Sequence, residues 1–85
     1  MPVISRFYGI VVNMYFRDHP PPHFHVKYGE FRATVEIVNG GCDGHIPRQA
    51  LRLVEEWRRA HVQELLACWD LAQEEKPLPT IPPLE

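Results

Sequence analysis

The chain divides into two parts that differ in where glycine and proline occur. All five glycines lie between Gly9 and Gly44, whereas neither glycine nor proline interrupts residues 48–76. Because both residue types end regular structure, the first part predicts short strands joined by turns. Apolar residues recur at helical spacing in the second part, which predicts helix. Strands followed by helices favour an α+β fold with an antiparallel sheet.

Three strands are predicted before Pro47. Residues 7–16 are apolar and rich in β-formers on both faces, which predicts one long strand. Residues 23–37 predict a hairpin, because Gly29-Glu30 suits a two-residue type II′ turn. That turn sets the following cross-strand pairs: Tyr28 with Phe31, Val26 with Ala33, Phe24 with Val35, His25 with Thr34, His23 with Glu36, and Lys27 with Arg32. Residues 39–44 are expected to form a flexible turn.

The helical region should begin at Pro47, which suits the first position of a helix. A straight helix over residues 48–76 would overhang a domain of this size, so we expect a bend near residues 59–61. Residues 1–76 are predicted to form a single domain, and residues 77–85 a proline-rich extended tail anchored by its apolar side chains. The helical region should pack on the apolar face of the three-stranded sheet and bury Phe24, Val26, Val35, Ile37, Leu51, Val54 and Trp57.

Charge, hydropathy and cysteine content limit the classes of protein to which this chain can belong. The net charge is −2, but residues 1–59 hold eight Lys/Arg against six Asp/Glu, so a locally basic face remains available for an anionic ligand. No apolar run approaches the roughly 20 residues that cross a bilayer, and no signal peptide is recognisable, so we expect no membrane contact. The two cysteines, Cys42 and Cys68, lack zinc-site spacing and predict free thiols in the cytoplasm.

The segment Asp18-His19-Pro20-Pro21-Pro22-His23-Phe24-His25 holds the candidate functional residues. His23 and His25 are two residues apart in a predicted strand, so both imidazoles should stand on the same face. Three consecutive prolines stiffen the approach to that strand. The pattern therefore predicts a titratable cluster on a rigid element.

Two chemical hypotheses fit this cluster. In the first, His23 and His25 bind a divalent transition metal, with His19 or Asp18 as a further ligand. In the second, no metal or other cofactor is needed. His23 and His25 then act as acid and base on RNA, and Glu36 orients the ring of His23.

The RNA hypothesis also needs side chains that bind the phosphate group and the rest of the RNA near it. The cationic side chains near the cluster are Arg17, Lys27 and Arg32, and His19 completes the predicted binding set. A third interpretation is structural, with the histidines lining a surface that binds a partner protein.

The order of motifs resembles a bacterial domain-of-unknown-function family, family 4160. The resemblance rests on Pro2–Ile10, on Met14-Tyr15-Phe16, on Asp18–Val26, and on Pro47-Arg48, Ala50-Leu51, Val54, Glu56-Trp57 and Trp69. It implies a short stand-alone protein encoded beside another small protein, as in toxin–antitoxin-type pairs. It assigns no activity and no catalytic residue.

We therefore expect a toxin–antitoxin-type component that acts on or binds RNA. The alternatives are a non-catalytic module that binds a cognate small protein or a second copy of itself, and a small metal-binding domain.

Overall fold

Five antiparallel strands precede two helices in the computed structural model, which describes residues 2–85. The strands are β1 (Val3–Phe7), β2 (Ile10–Asn13), β3 (His23–Tyr28), β4 (Phe31–Glu36) and β5 (Cys42–His45). They pair in sequence order as one meander. The helices are α1 (Arg48–Ala60) and α2 (Val62–Gln73). The α+β class and the antiparallel sheet are confirmed, but the sheet has five strands rather than three.

The predicted long strand over residues 7–16 is wrong. Tyr8 and Gly9 have φ angles of 48° and 79°, and the chain reverses there, so that Phe7 pairs with Ile10. Positive φ at both central residues is the geometry of a type I′ turn. Asn-Gly is the usual signature of that turn, and a tyrosine with positive φ is uncommon. The apolar pattern therefore concealed a hairpin, and β2 ends at Asn13.

Residues 39–44 also differ from the prediction of a flexible turn. Cys42–His45 forms β5, which pairs with β4 at the far edge of the sheet. All four of its residues are exposed. Their sequence lacks an apolar alternation, so the strand is defined by backbone pairing alone and leaves no hydrophobic signal.

The β3–β4 hairpin is confirmed in its register. All six predicted cross-strand pairs occur, from His23 opposite Glu36 to Tyr28 opposite Phe31. Gly29 has a φ of 58° at the first turn position, as a type II′ turn requires. A short turn with alternating flanks determines register because a shift of one residue would move every side chain to the other face.

The helical region bends at His61, within the predicted interval. His61 has a φ of −129° and ends α1 by donating its backbone N–H to the Arg58 carbonyl at 3.0 Å. Pro47 lies one residue before the helix, at its N-cap position. Within residues 2–85 no helix has the length and apolar character needed to cross a bilayer.

The core lies between one face of the sheet and both helices. Six of the seven residues predicted to be buried are in it, and Leu51 packs against it while partly exposed. After α2 the chain runs without helix or strand, and its Ile81 donates its N–H to the Ile4 carbonyl at 2.7 Å. Both cysteines are free thiols, as predicted. The buried side chains that α1 and α2 contribute are Ala50, Val54, Trp57, Arg58, Leu65, Cys68, Trp69 and Ala72.

Candidate functional site

The loop between β2 and β3 is attached to the end of α2. Arg17 donates its backbone N–H to the Ala72 carbonyl at 3.1 Å, and Gln73 donates its side-chain amide to the Asp18 carbonyl at 3.2 Å. The backbone N–H of His19 donates to Asp18 Oδ1 at 2.9 Å. These bonds fix the Asp18 side chain in front of the first residues of β3.

One carboxylate oxygen lies against both histidines of β3. Asp18 Oδ2 is 2.9 Å from His23 Nε2 and 3.0 Å from His25 Nε2. All three atoms lie within 4.8 Å of one another. The exposed fractions of the side chains are 13% for Asp18, 8% for His23 and 22% for His25, so the group is largely shielded but reachable from solvent.

The protons of the His23 ring are constrained by its partners. His23 Nδ1 lies 2.8 Å from the Pro21 carbonyl oxygen, which can only accept, so Nδ1 carries a proton. In the neutral ring Nε2 is then a bare lone pair that faces the Asp18 carboxylate. This arrangement needs a cation between the two groups, which is either a second proton on the ring or a metal ion.

Aromatic rings hold the two imidazoles in place. The Tyr15 ring stacks on His25, with centroids 3.7 Å apart and planes 8° from parallel. The Trp69 ring of α2 lies 5.3 Å from that of His23, and the two imidazoles meet edge to face at 5.3 Å. The ring orientations are therefore fixed by packing before any ligand binds.

Asp18 is ionised over nearly the whole pH range. Burial by itself raises the pKa of Asp18, but the His25 hydrogen bond, the His19 backbone amide and the nearby His23 together lower it from 3.8 to about 2. A carboxylate that remains charged while shielded from water is suited to hold a cation.

The depressed pKa predicts an acid-labile contribution to folding. Because the folded-state pKa of Asp18 lies below its unfolded value, the stabilisation is complete above about pH 4 and is lost as pH falls to about 2. The shift corresponds to about 2 kcal/mol. Urea unfolding in a chelator should show the difference between wild type and Asp18→Asn shrinking by that amount across this window. A constant difference would contradict the assignment.

Two of the three separations between the ligand atoms match adjacent positions around one ion, and the third, between the two imidazole nitrogens, lies within 4.8 Å. Imidazole and carboxylate ligands lie about 2.1 Å from a first-row metal, so two ligands at right angles are about 3 Å apart. The two observed separations from Asp18 Oδ2 are 2.9 and 3.0 Å. Two histidines and one carboxylate are the donor set of the facial triad of non-haem iron sites, in which the remaining coordination positions are open.

A cleft of about 410 Å³ lies beside this group. Its walls come from the proline loop, from β3 and β4, and from the start of β5: His19, Pro21, His23, His25, Thr34, Glu36, Gly41, Cys42 and Asp43. The cleft gives a small polar molecule access to the imidazoles.

The chain was compared with protein families, curated proteins and solved structures. The model of the domain of unknown function DUF4160 matches residues 9–70. The chain belongs to this family. No curated protein and no solved structure shows a significant match.

The DUF4160 match includes Asp18, His23 and His25, and it also includes the strands and α1 that position them. Strand β1 and the residues after Asp70 lie outside it. The matched region therefore contains all three candidate ligands, whereas Ala72 and Gln73, which anchor the Asp18 loop, lie outside it.

Other predicted site residues lie near this group but contact different atoms. His19 Nδ1 is 3.0 Å from Asp18 Oδ1, the oxygen that faces away from the triad, and its side chain is 83% exposed. Glu36 is opposite His23 in the sheet and lines the cleft. Glu36 bonds neither ring nitrogen of His23, because Asp18 and the Pro21 carbonyl engage both.

The predicted phosphate-binding residues are separated. Arg17 is 3.3 Å from Glu75 at the end of α2, so its charge is already paired. Lys27 and Arg32 face each other across β3 and β4, and both are exposed. They lie two cross-strand pairs beyond His25 and Thr34, outside the cleft.

Sequence reasoning did not identify the groups that orient the imidazoles. Tyr15 falls within the predicted long strand over residues 7–16, and the apolar pattern of the helical region gives Trp69 no role beside the histidines. A backbone carbonyl leaves no signal in a residue pattern. The stacking of Tyr15 on His25 depends on the chain leaving β2 at Asn13, which the apolar pattern concealed.

Proposed function

We propose that Asp18, His23 and His25 bind one divalent transition-metal ion and that this domain functions through that ion. The observation that carries the proposal is the convergence of one carboxylate oxygen and two imidazole nitrogens within 4.8 Å. The same donor set occurs in non-haem iron sites and in catalytic zinc sites.

The surroundings of the ligands support a metal over a simple ion pair. Metal-bound imidazoles commonly donate their second ring N–H to a carbonyl, which aims the remaining lone pair at the ion. The hydrogen bond from His23 Nδ1 to the Pro21 carbonyl has this geometry. Stacking on Tyr15 and packing on Trp69 restrict the rings, so little side-chain entropy remains to be lost on binding.

An ion bound at this site would keep open coordination positions at which it could activate another molecule. Three protein ligands on one side leave coordination positions for water or a small polar molecule, and the adjacent cleft gives access to them. An ion so placed polarises a bound carbonyl or lowers the pKa of a bound water.

Metal titration of protein made without a polyhistidine tag tests the proposal. After removal of metal with a chelator, wild type should bind one equivalent of Zn²⁺ or Co²⁺, and at 100 times the dissociation constant the ion should stabilise the fold by about 2.7 kcal/mol. His23→Ala/His25→Ala should lose both effects. His45→Ala, an exposed histidine outside the triad, is the matched control.

Two outcomes would overturn the metal site. One is a folded wild-type protein that binds neither ion. The other is a double variant that binds as tightly as wild type, because the ligands would then lie elsewhere.

A second candidate function is RNA binding within a toxin–antitoxin-type pair. It is favoured by the exposed cations Lys27 and Arg32, which lie beside His25 on the same face. In its enzymatic form His23 and His25 act as acid and base. The shared contact of both Nε2 atoms with Asp18 supports the metal proposal over that form.

Inducible expression in bacteria separates these alternatives. Growth arrest with RNA decay that disappears in His23→Ala/His25→Ala would support catalysis by the imidazoles. Arrest that persists in the folded variant would exclude them as catalysts. Absence of arrest would favour the non-catalytic module that binds a cognate small protein.

A further inference from the structure

One row of residues crosses the whole sheet and is almost entirely basic. The register places Arg6 opposite Val11, Val11 opposite Lys27, Lys27 opposite Arg32, and Arg32 opposite His45. With neighbouring strands about 4.8 Å apart, this cationic row spans about 19 Å across five strands. No pattern along the chain reveals it, because each strand contributes one residue.

The cationic row lies on the face of the sheet that the helices leave open. Its neighbours along the strands, such as Phe7, Val26 and Ala33, are buried in the core, so the row itself points away from the core. Its four basic members are exposed, and Val11 is half-buried. The row therefore presents its charges to solvent.

The charges in this row are not neutralised within the chain. Among residues 2–85 every ion pair involves other groups, and neither Arg6, Lys27 nor Arg32 takes part in one. The acids nearest in register are Asp43, two pairs away opposite Thr34, and Glu30 in the β3–β4 turn. Like charges directly opposite each other destabilise a sheet, so the arrangement favours an external anion.

We propose that the cationic row binds the phosphate backbone of a single-stranded nucleic acid. Its length and linear arrangement suit an extended polyanion better than a single small anion. Phe31 alternates with Arg32 along β4 and so belongs to the core-facing side, but at this end of the strand it is 39% exposed and its ring contacts His45, the last member of the row, at 5.3 Å between centroids. An exposed aromatic ring beside a line of cations is the combination that single-strand binders use for stacking and charge contacts.

This inference extends the second candidate function, RNA binding, and does not depend on the metal. It moves the binding residues from the histidine cluster to the row, which includes Arg6 and His45. An acidic polypeptide is the competing ligand. Peptides commonly add to a sheet edge through backbone hydrogen bonds, whereas this row lies across the face.

Fluorescence anisotropy with a labelled oligouridylate of about 12 nucleotides, a length within the range that single-strand-binding OB folds cover, tests the inference. Wild type should bind, and Arg6→Ala/Lys27→Ala/Arg32→Ala should reduce the affinity at least about tenfold at low salt. The slope of log affinity against log salt should fall by about 2, because three phosphate contacts are removed.

The matched control is Arg48→Ala/Arg52→Ala/Arg59→Ala, which removes three exposed arginines from α1 and gives the same net charge. It should retain most of the affinity, and so should His23→Ala/His25→Ala. Circular dichroism should show that all three variants are folded.

Four results would overturn the inference. The first is that wild type does not bind the RNA, and the second is that both triple variants lose affinity equally. The third is that only the histidine variant loses affinity, and the fourth is that polyglutamate at equal charge concentration displaces the RNA. Loss of affinity only in the histidine variant would place the RNA-binding surface at the proposed metal ligands. The metal proposal would still be tested separately, by the metal titration.

Discussion

Trp57→Ala should lower the free energy of unfolding by about 3–5 kcal/mol, the usual loss for a large buried aromatic side chain. Trp57 is fully buried between Phe7 and Phe24, with ring centroids 5.3 and 5.7 Å away. Its indole N–H also donates to the Pro82 carbonyl at 2.8 Å, so the side chain joins the sheet, α1 and the segment after α2. Urea unfolding followed by circular dichroism measures the loss.

Two control variants show whether the loss of stability in Trp57→Ala comes from the buried indole ring. Trp57→Phe keeps most of the apolar contact but removes the indole donor, so its loss should be clearly smaller than that of alanine. Val38→Ala truncates an apolar side chain that is 67% exposed and should change stability by less than about 0.5 kcal/mol. A loss below about 1 kcal/mol for Trp57→Ala would mean that this side chain does not organise the core.

Arg58→Met should destabilise the fold by about 2–4 kcal/mol, because it leaves buried acceptors without donors. Arg58 is only 6% exposed and donates to the Ile37 carbonyl at 2.8 Å and the Val38 carbonyl at 3.2 Å. It also pairs with Glu55, and that hydrogen bond raises the pKa of Arg58 and lowers the pKa of Glu55. Chemical denaturation gives the measurement.

The neighbouring Arg59 provides the matched control for Arg58. Its side chain is 77% exposed and lies 4.0 Å from Glu55, so Arg59→Met should change stability by less than about 0.5 kcal/mol. Arg58→Lys should recover only part of the loss, since an ammonium group lacks the planar fork that reaches both carbonyls and the carboxylate. Equal effects at both positions would contradict the buried role.

Arg58 is also connected to the candidate site by hydrogen bonds through the end of β4. Ile37, whose carbonyl Arg58 binds, donates its own N–H to the Pro22 carbonyl at 3.0 Å. Pro22 immediately precedes His23. The helix, the end of β4 and the proline loop are therefore joined by consecutive hydrogen bonds, and the position of the first imidazole depends on α1.

Local sequence patterns were sufficient to predict the β3–β4 hairpin and the placement of the two histidines on one face. Alternation around Gly29-Glu30 determines the register of β3 and β4, because side-chain direction in a strand repeats every two residues. The same alternation places His23 and His25 on one face. The charge run Glu55-Glu56 and Arg58-Arg59 in α1 shows where this kind of reasoning fails, since such a run is typical of a solvated helix face, yet Arg58 is buried.

The sequence by itself determined that a strand region precedes a helical region, the register of one hairpin and the residues able to act as ligands, since these depend on neighbours a few residues apart. Tertiary structure decided that Asp18, rather than Glu36, meets both imidazoles, because the β2–β3 loop is fixed by backbone bonds to α2. It also decided the edge strands and the cationic row, which arise from hydrogen bonds between strands. Such pairing satisfies backbone groups of any residue type and therefore leaves no pattern in the sequence.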